Sequence, residues 1–580
     1  MILQALVDHY EDLLKKGAIS KPGWGKTNVS FGLNLNADGE VIGLLSLKTP
    51  RQSGKKTVNA PRSLEVPQPV KRSVDVKSNF LCDNSTYIFG ADEKGKEDRT
   101  LQCFNACKEL HTKLLKDAGT EAALAIVRYF EKWKPENACE NPKLTEDWKE
   151  LMAGANILFY YEGKSVMEDL RIRECWQNHY SSSGEGNVGV CMVTGKKAPI
   201  AVLHPTIKGV RGAQAMGTSL VSFNAPSFCS YGKEQGSNAP VSKYAAFAYG
   251  TALNELLNDR EHTKAIGDMT VVCWAEGGDT AYQDAGIAAM FGTDENEGLT
   301  DQDLSRILAK MQEGESVQIK DEWLDPDKRF YVLGVAPNAA RLSVRFFMEN
   351  SFGDMMRHIN EHHKRLEIVR PKNDKFPILP LWKLLSETVN NKSNDKSPSP
   401  QMAADTLKAV LTGGTYPASL LNGVMLRIRA EREVTRGRAA IIKAYYLRNE
   451  HKDCPKEVLE KMELNEECRD VQYTLGRLFS VLEHIQQEAN PGINATIKDK
   501  YFSAASATPA RIFPKLIDLA QKHLRKLKEP LKVYFNKQIG ELTEIVGTEF
   551  PTRLNLPQQG SFQLGYYYQT QKRYQKKEEK

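Results

Sequence analysis

No run of 18 apolar residues occurs anywhere in the 580-residue chain, which argues against a membrane-spanning helix. The N-terminus, Met1-Ile-Leu-Gln-Ala-Leu-Val-Asp8, has no basic residue ahead of its apolar ones, so it does not read as a secretory leader. The ten cysteines are scattered, and a chain this long needs no disulfide staples. They read as reduced thiols of a cytoplasmic protein. Catalytic signatures are also missing. There is no Gly-x-Ser-x-Gly and no His-Asp dipeptide. Ser20-Lys-Pro-Gly-Trp-Gly-Lys-Thr27 resembles a phosphate-binding loop, but Ser20 stands where the first glycine is required, and the segment lies between a helix and a strand in the wrong order. Cys103 and Cys107 share a helix without two further local ligands for zinc. His358 and His362 are spaced for a metal, yet Ile359 replaces the glutamate that would follow. These residues ask for no enzyme, cofactor or metal.

Charge is present, but it is uneven. Residues 401–580 carry 29 Lys and Arg against 21 Asp and Glu, whereas 1–400 carry 50 against 52. From Met192 to Lys243 six basic residues face Glu234 alone, while 255–328 holds 18 acids against six bases. Basic stretches within a near-neutral chain point to local contact with a polyanion.

The pattern along the chain predicts an α+β fold. A mixed domain of short strands and helices is expected over 1–370, then a linker region over 371–400, then an all-helical bundle over 401–580. Leu3, Leu6, Val7, Tyr10, Leu13 and Leu14 predict a first helix ended by Gly17. Val29–Leu35 and Val41–Leu47 alternate around Asp38-Gly39 and predict a strand pair. The basic stretch 49–77 reads as a long surface loop. Helical patterns run over 97–133 and 145–172. Asn390-Asn-Lys-Ser-Asn-Asp-Lys-Ser-Pro-Ser-Pro400 reads as an exposed linker. After it come the amphipathic stripes of Leu421–Ile428, Val471–Leu482 and Phe513–Leu527.

The segment 205–243 carries the most chemistry. Its glycines let backbone approach a ligand, and it follows His204. Lys208, Arg211 and Lys233 can neutralise phosphates, while Gln214, Asn224, Gln235 and Asn238 can bond base edges. Phe223, Phe228 and Tyr231 can pack or stack. Lys71, Arg72, Lys77 and Asn79 offer a second contribution. Two basic rows follow in the helical part. Arg429, Arg432 and Arg436 recur at three and four residues, and Lys515, Lys522, Arg525 and Lys526 lie off an apolar stripe. The plain alternative for each is a solvated face.

The order of several segments carries a resemblance. They are Met1-Ile-Leu-Gln-Ala-Leu6, Lys21-Pro-Gly-Trp24, Phe80-Leu-Cys-Asp-Asn84, Cys191-Met-Val-Thr-Gly195, His204-Pro-Thr-Ile-Lys-Gly209, Ser222-Phe-Asn-Ala-Pro-Ser-Phe228 and Gly414-Thr-Tyr-Pro417. Together they resemble the large subunit of the type I-C CRISPR Cascade complex. The resemblance implies a non-catalytic subunit of an RNA-guided surveillance complex. Such a subunit recognises a protospacer-adjacent motif in double-stranded DNA, promotes duplex opening and helps recruit a helicase-nuclease. The implied partners are the guide CRISPR RNA, target DNA with its displaced strand, and the backbone and handle-binding subunits. Small subunits similar to its own C-terminal part, made from an internal start, also belong to the assembly; Met462 is the preferred start. No membrane and no cofactor are implied. Two other readings stay open: a metal-dependent nuclease using the acidic 255–328 segment, and a phosphate-binding scaffold that reads no motif.

Overall fold

The strands and helices form two compact units, Met1–Pro205 with Val221–Leu253, and Thr206–Leu220 with Asn254–Lys580. The computed structural model describes all residues except 54–55, 71, 73–75, 93–96, 183–186, 294–298, 320, 391, 395, 451–453 and 576–580. About 50% of it is helix and 16% strand, so the chain is α+β.

The first unit begins with the helix Ile2–Lys15, which buries Leu6, Val7 and Tyr10. Its central sheet pairs Val41–Ser46 with Phe31–Leu35, and Phe31–Leu35 runs parallel to Ile157–Tyr161. The turn between the first two strands is fixed by Asn36, whose Oδ1 accepts from Asp38 N at 3.0 Å and Glu40 N at 2.8 Å. Gly39 closes it at φ +78, where a Cβ would lie 2.5 Å from Tyr129 N. The helices Glu97–Leu115 and Glu121–Lys132 supply Phe104, Ile126, Tyr129 and Phe130 to the core beneath Phe31, Leu33 and Phe159.

Two expectations fail here. The stretch 49–67 is not a long loop. Thr49–Ser53 and Lys56–Ala60 form an antiparallel ribbon, and Arg62–Pro67 pairs with Trp24–Val29. Such ribbons are polar on both faces where exposed, so they leave no alternating apolar signal. Within 145–172, helix covers only Trp148–Met152, the short turn Val166–Glu168 and the start of Leu170–Ser182; Ile157–Tyr161 is a central strand. Its continuous apolar run, between the parallel strand Phe31–Leu35 and the antiparallel Cys82–Asp83, has no period to read.

The second unit contains a six-stranded sheet in the order Thr206–Ile207, Thr218–Ser219, Arg341–Ser351, Arg329–Asn338, Met269–Ala275, Lys264–Ile266. All neighbours are antiparallel except the pair joined through Ser219 and Arg341. Helices from Thr280–Phe291 to Leu556–Gln575 share one core with this sheet. The expected boundary over 371–400 therefore lies inside a unit. The helix Leu381–Ser386 sits within that span, with Leu381, Leu384 and Leu385 buried in the common core. Polar composition at 390–400 marks surface exposure, and it carries no information about where a core divides.

A charged clasp holds the sheet edge of this unit. His262 is buried, with Nδ1 2.6 Å from Asp259 Oδ2 and Nε2 2.6 Å from Asp284 Oδ1. Burial pulls its pKa down, but the two carboxylates outweigh that and raise it to about 9. An unfolded histidine titrates near 6.5, so the clasp contributes fully below pH ~6.5 and its contribution is lost as pH rises through about 9. His262→Gln is expected to cost about 1–2 kcal/mol at pH 6, after allowing for the partly exposed carboxylates. Urea melts at pH 6 and pH 10 check this: the wild-type advantage should disappear at the higher pH. An advantage equal at both pH values would mean packing alone.

Candidate nucleic-acid interface

The Gly-rich segment is divided between the two units. In the second unit, Lys208, Arg211 and Gln214 lie on the connection between the short strands Thr206–Ile207 and Thr218–Ser219. The backbone there is fixed at several points. Lys208 N donates to Asn254 Oδ1 at 2.8 Å, Asn254 Nδ2 donates to Thr206 O at 3.0 Å, and Arg211 N donates to Thr270 Oγ1 at 3.1 Å. Gly217 turns at φ +87, and a Cβ would meet Thr206 Cγ2 at 2.4 Å. The side chains of Lys208, Arg211 and Gln214 are exposed. A pinned backbone carrying outward donors suits contact with phosphates and base edges.

In the first unit, Asn224 and Lys233 are exposed, Gln235 is half-buried at φ +47, and Asn238 is half-buried. Asn238 has other work than base reading. Its Oδ1 accepts from Ser230 N at 2.9 Å, and its Nδ2 donates to Lys233 O at 3.2 Å and Gln235 O at 3.0 Å. It therefore shapes the loop 230–238. His204 is buried beneath, with Nδ1 2.7 Å from the Tyr249 hydroxyl. Cys191, also buried, accepts from Ser242 N at 3.2 Å. Burial pushes this thiol up, yet donors from Ser242 and Thr194 outweigh it and bring its pKa to about 7.

The second proposed group divides differently. Lys71 lies outside the described residues, and Lys77 is exposed. Arg72 faces inward. Its two terminal nitrogens bond both carboxylate oxygens of buried Asp83, its Nε donates to Lys77 O at 2.7 Å, and its guanidinium carbon lies 3.8 Å from the centre of the Tyr87 ring. Burial raises the Asp83 pKa, against the pull of Arg72 and of the N–H groups of Asn79 and Asn84. Asn79 Oδ1 accepts from Val70 N at 2.9 Å. Both Arg72 and Asn79 thus close the loop internally.

The first basic row is not a single helix face. Arg429 lies near the end of the helix Ala418–Glu431, Arg432 caps it in a left-handed conformation, and both are exposed. Arg436 opens the next helix and turns to Asp374 at 3.0 Å with its side chain largely buried. The second row lies off the buried stripe of its helix. Lys515, Lys522, Arg525 and Lys526 are exposed on or just after the helix Pro509–Leu524. Lys515 lies over Tyr501, Lys522 pairs with Asp518 at 2.9 Å and Lys526 donates to Asn490 at 3.1 Å. The periodicity had not singled out Tyr501 or Lys500, which lies 5.5 Å from the same ring.

Several acids of 255–328 have structural partners. Asp268 pairs with Arg345, Asp303 caps a helix, and Glu313 and Glu315 pair with Lys310. Among the described residues, no group of three or more His, Cys, Asp or Glu could hold a metal ion, and no helix is long and apolar enough to cross a membrane.

A family model described as CRISPR-associated protein (Cas_Csd1) matches residues 6–574. The chain belongs to that family. This makes it a CRISPR-associated, Cascade-type protein, a class that works in multi-subunit assemblies with nucleic acid. No curated protein matches the sequence. Cas_Csd1 membership spans both units, so the loop 206–220 and the basic helix Pro509–Leu524 both lie within the matched residues.

Proposed function

We propose that this Cas_Csd1 protein is the non-catalytic large subunit of a type I-C Cascade complex and reads the protospacer-adjacent motif in duplex DNA. The observation that carries the reading is the loop 208–217, whose backbone is tied to Asn254 and Thr270 while Lys208, Arg211 and Gln214 face solvent. Guide RNA supplies the long sequence match in such systems, and protein reads only a short adjacent element. In the first unit, taken by itself, Asn224 and Lys233 are also exposed polar groups suited to DNA. Lys515, Lys522, Arg525 and Lys526 suit the phosphates of a separated strand. Duplex opening and recruitment of a helicase-nuclease follow from the same assignment.

Met462 supports a separately made small subunit. It is exposed and precedes the helix Val471–Ala489, so a chain begun there keeps that helix whole; Met425 is buried within Ala418–Glu431.

The test is selection from targets with a randomised adjacent trinucleotide, using the chain assembled with guide RNA and partner subunits. A few trinucleotides should be enriched, and Arg211→Ala should reduce that preference roughly 10- to 100-fold. Equal binding to all trinucleotides with steep salt dependence would leave a phosphate-binding scaffold instead.

A further inference from the structure

Tyr231 is 99% exposed. No other large hydrophobic or aromatic side chain among the described residues stands so far out of the protein. Aromatic rings on free loops normally fold back on a neighbour, because exposing the ring forfeits its apolar burial. Here the ring stays out in solvent. Tyr231 sits at φ +55, followed by Gly232 at φ +68, and a β-carbon in that region is strained.

The loop that holds it is stiff. Asn238 clamps it with the three bonds described above, and Lys233 N donates to Ser230 O at 3.0 Å. Gly236 anchors the base: its N–H donates to Val202 O at 3.0 Å, and a Cβ there would lie 2.0 Å from Ala201 O. The hairpin Val188–Pro199 is tied to the same body, through Met192 N to Pro240 O at 2.8 Å and Ser242 N to Cys191 Sγ at 3.2 Å. Lys196 and Lys197 at its turn, and Lys233 beside Tyr231, are exposed. The only acid in 192–243 is Glu234.

We propose that Tyr231 is a base-stacking residue: its ring packs on an exposed nucleobase of the bound DNA while the neighbouring lysines hold phosphates. This rests on the DNA-reading function proposed above and adds a contact of a different kind. Rigid, positive surroundings favour a nucleobase over a protein pocket, since an aromatic next to lysines matches the alternating π-face and phosphate of a strand. A ring stack is indifferent to which base it meets, so Tyr231 contributes affinity, and motif choice stays with the side chains of loop 208–217.

The assembled complex tests this with a target carrying 2-aminopurine at successive positions through the motif and the adjoining base pairs. At one position the wild-type complex should change the probe's fluorescence. Tyr231→Ala should abolish that change and weaken DNA binding roughly 10-fold, whereas Tyr231→Trp should retain both. The salt slope should stay constant in Tyr231→Ala, because no phosphate contact is removed, and should become shallower in Lys233→Ala. Wild-type fluorescence and affinity in Tyr231→Ala would overturn the assignment. If Arg211→Ala still loses motif choice in the same preparation, the reading function stands and only the stacking role falls. Loss of a partner subunit from the Tyr231→Ala assembly, with DNA affinity of the remainder unchanged, would also overturn it and make Tyr231 a protein anchor.

Discussion

Replacing Arg72 with alanine is expected to unfold or strongly destabilise the first unit rather than simply weaken DNA binding. Asp83 is buried and takes both terminal guanidinium nitrogens of Arg72 on its carboxylate. Removing one partner of a buried pair leaves an uncompensated charge, which costs about 3–5 kcal/mol. Two backbone N–H groups, of Asn79 and Asn84, remain on Asp83 and soften the loss towards the lower figure. The Tyr87 contact and the Lys77 carbonyl bond go as well. A melting temperature lower by roughly 10 °C is expected for this unit. The double variant Arg72→Leu with Asp83→Leu should recover much of the loss, since no buried charge is then stranded. A Lys77→Ala variant serves as the contrast, because Lys77 is exposed and its loss should leave the melting temperature near wild type. If Arg72→Ala melts like wild type yet binds DNA poorly, Arg72 belongs to the interface after all.

The same comparison explains what was legible in the sequence. Residue type marks the chemistry a side chain can do, and spacing marks which helix face it occupies. Neither reports whether a partner already uses it. Arg72, Asn79, Asn238 and Arg436 have the right atoms for DNA, but Asp83, Val70, the loop 230–238 and Asp374 claim them, the side-chain pairs Arg72–Asp83 and Arg436–Asp374 at sequence separations of 11 and 62. Lys208, Arg211 and Gln214 face solvent instead. Strong local patterns gave the first helix and the 31–46 strand pair. The strand Ile157–Tyr161 escaped because burial on both faces removes alternation. Tyr231 was legible as one of three aromatics that could pack or stack, without its exposure. Its full exposure goes with a φ of +55 and an Asn238 clamp on the same loop, which spacing cannot express.

The helical part is expected to be most sensitive where two helices touch backbone to backbone. Val471–Ala489 and Leu556–Gln575 cross through Gly476 and Gly565. A Cβ at Gly476 would lie 2.0 Å from Phe562 O, and one at Gly565 would lie 2.0 Å from Tyr473 O. Neither obstacle is a side chain that can rotate aside, so alanine at either site must push whole helices apart. Helix propensity acts in the opposite direction, since alanine is favoured over glycine by about 1 kcal/mol in a helix interior. The two effects differ in sign, which makes the outcome decisive. Displacing a packed helix costs more than propensity returns, and a net loss of about 3 kcal/mol is expected for Gly476→Ala and for Gly565→Ala. Gly540, in the helix Glu529–Val546, meets nothing within 4 Å and supplies the control. Gly540→Ala should gain up to about 1 kcal/mol, because propensity alone operates there. Denaturant melts of the three variants separate the cases. Stabilisation by all three would mean that the helices do not approach so closely. Under the proposed function, loss at the two buried glycines should also weaken motif selection at Arg211, because the loop that carries it lies in the same unit. It should equally destabilise the proposed small subunit started at Met462, which contains both glycines.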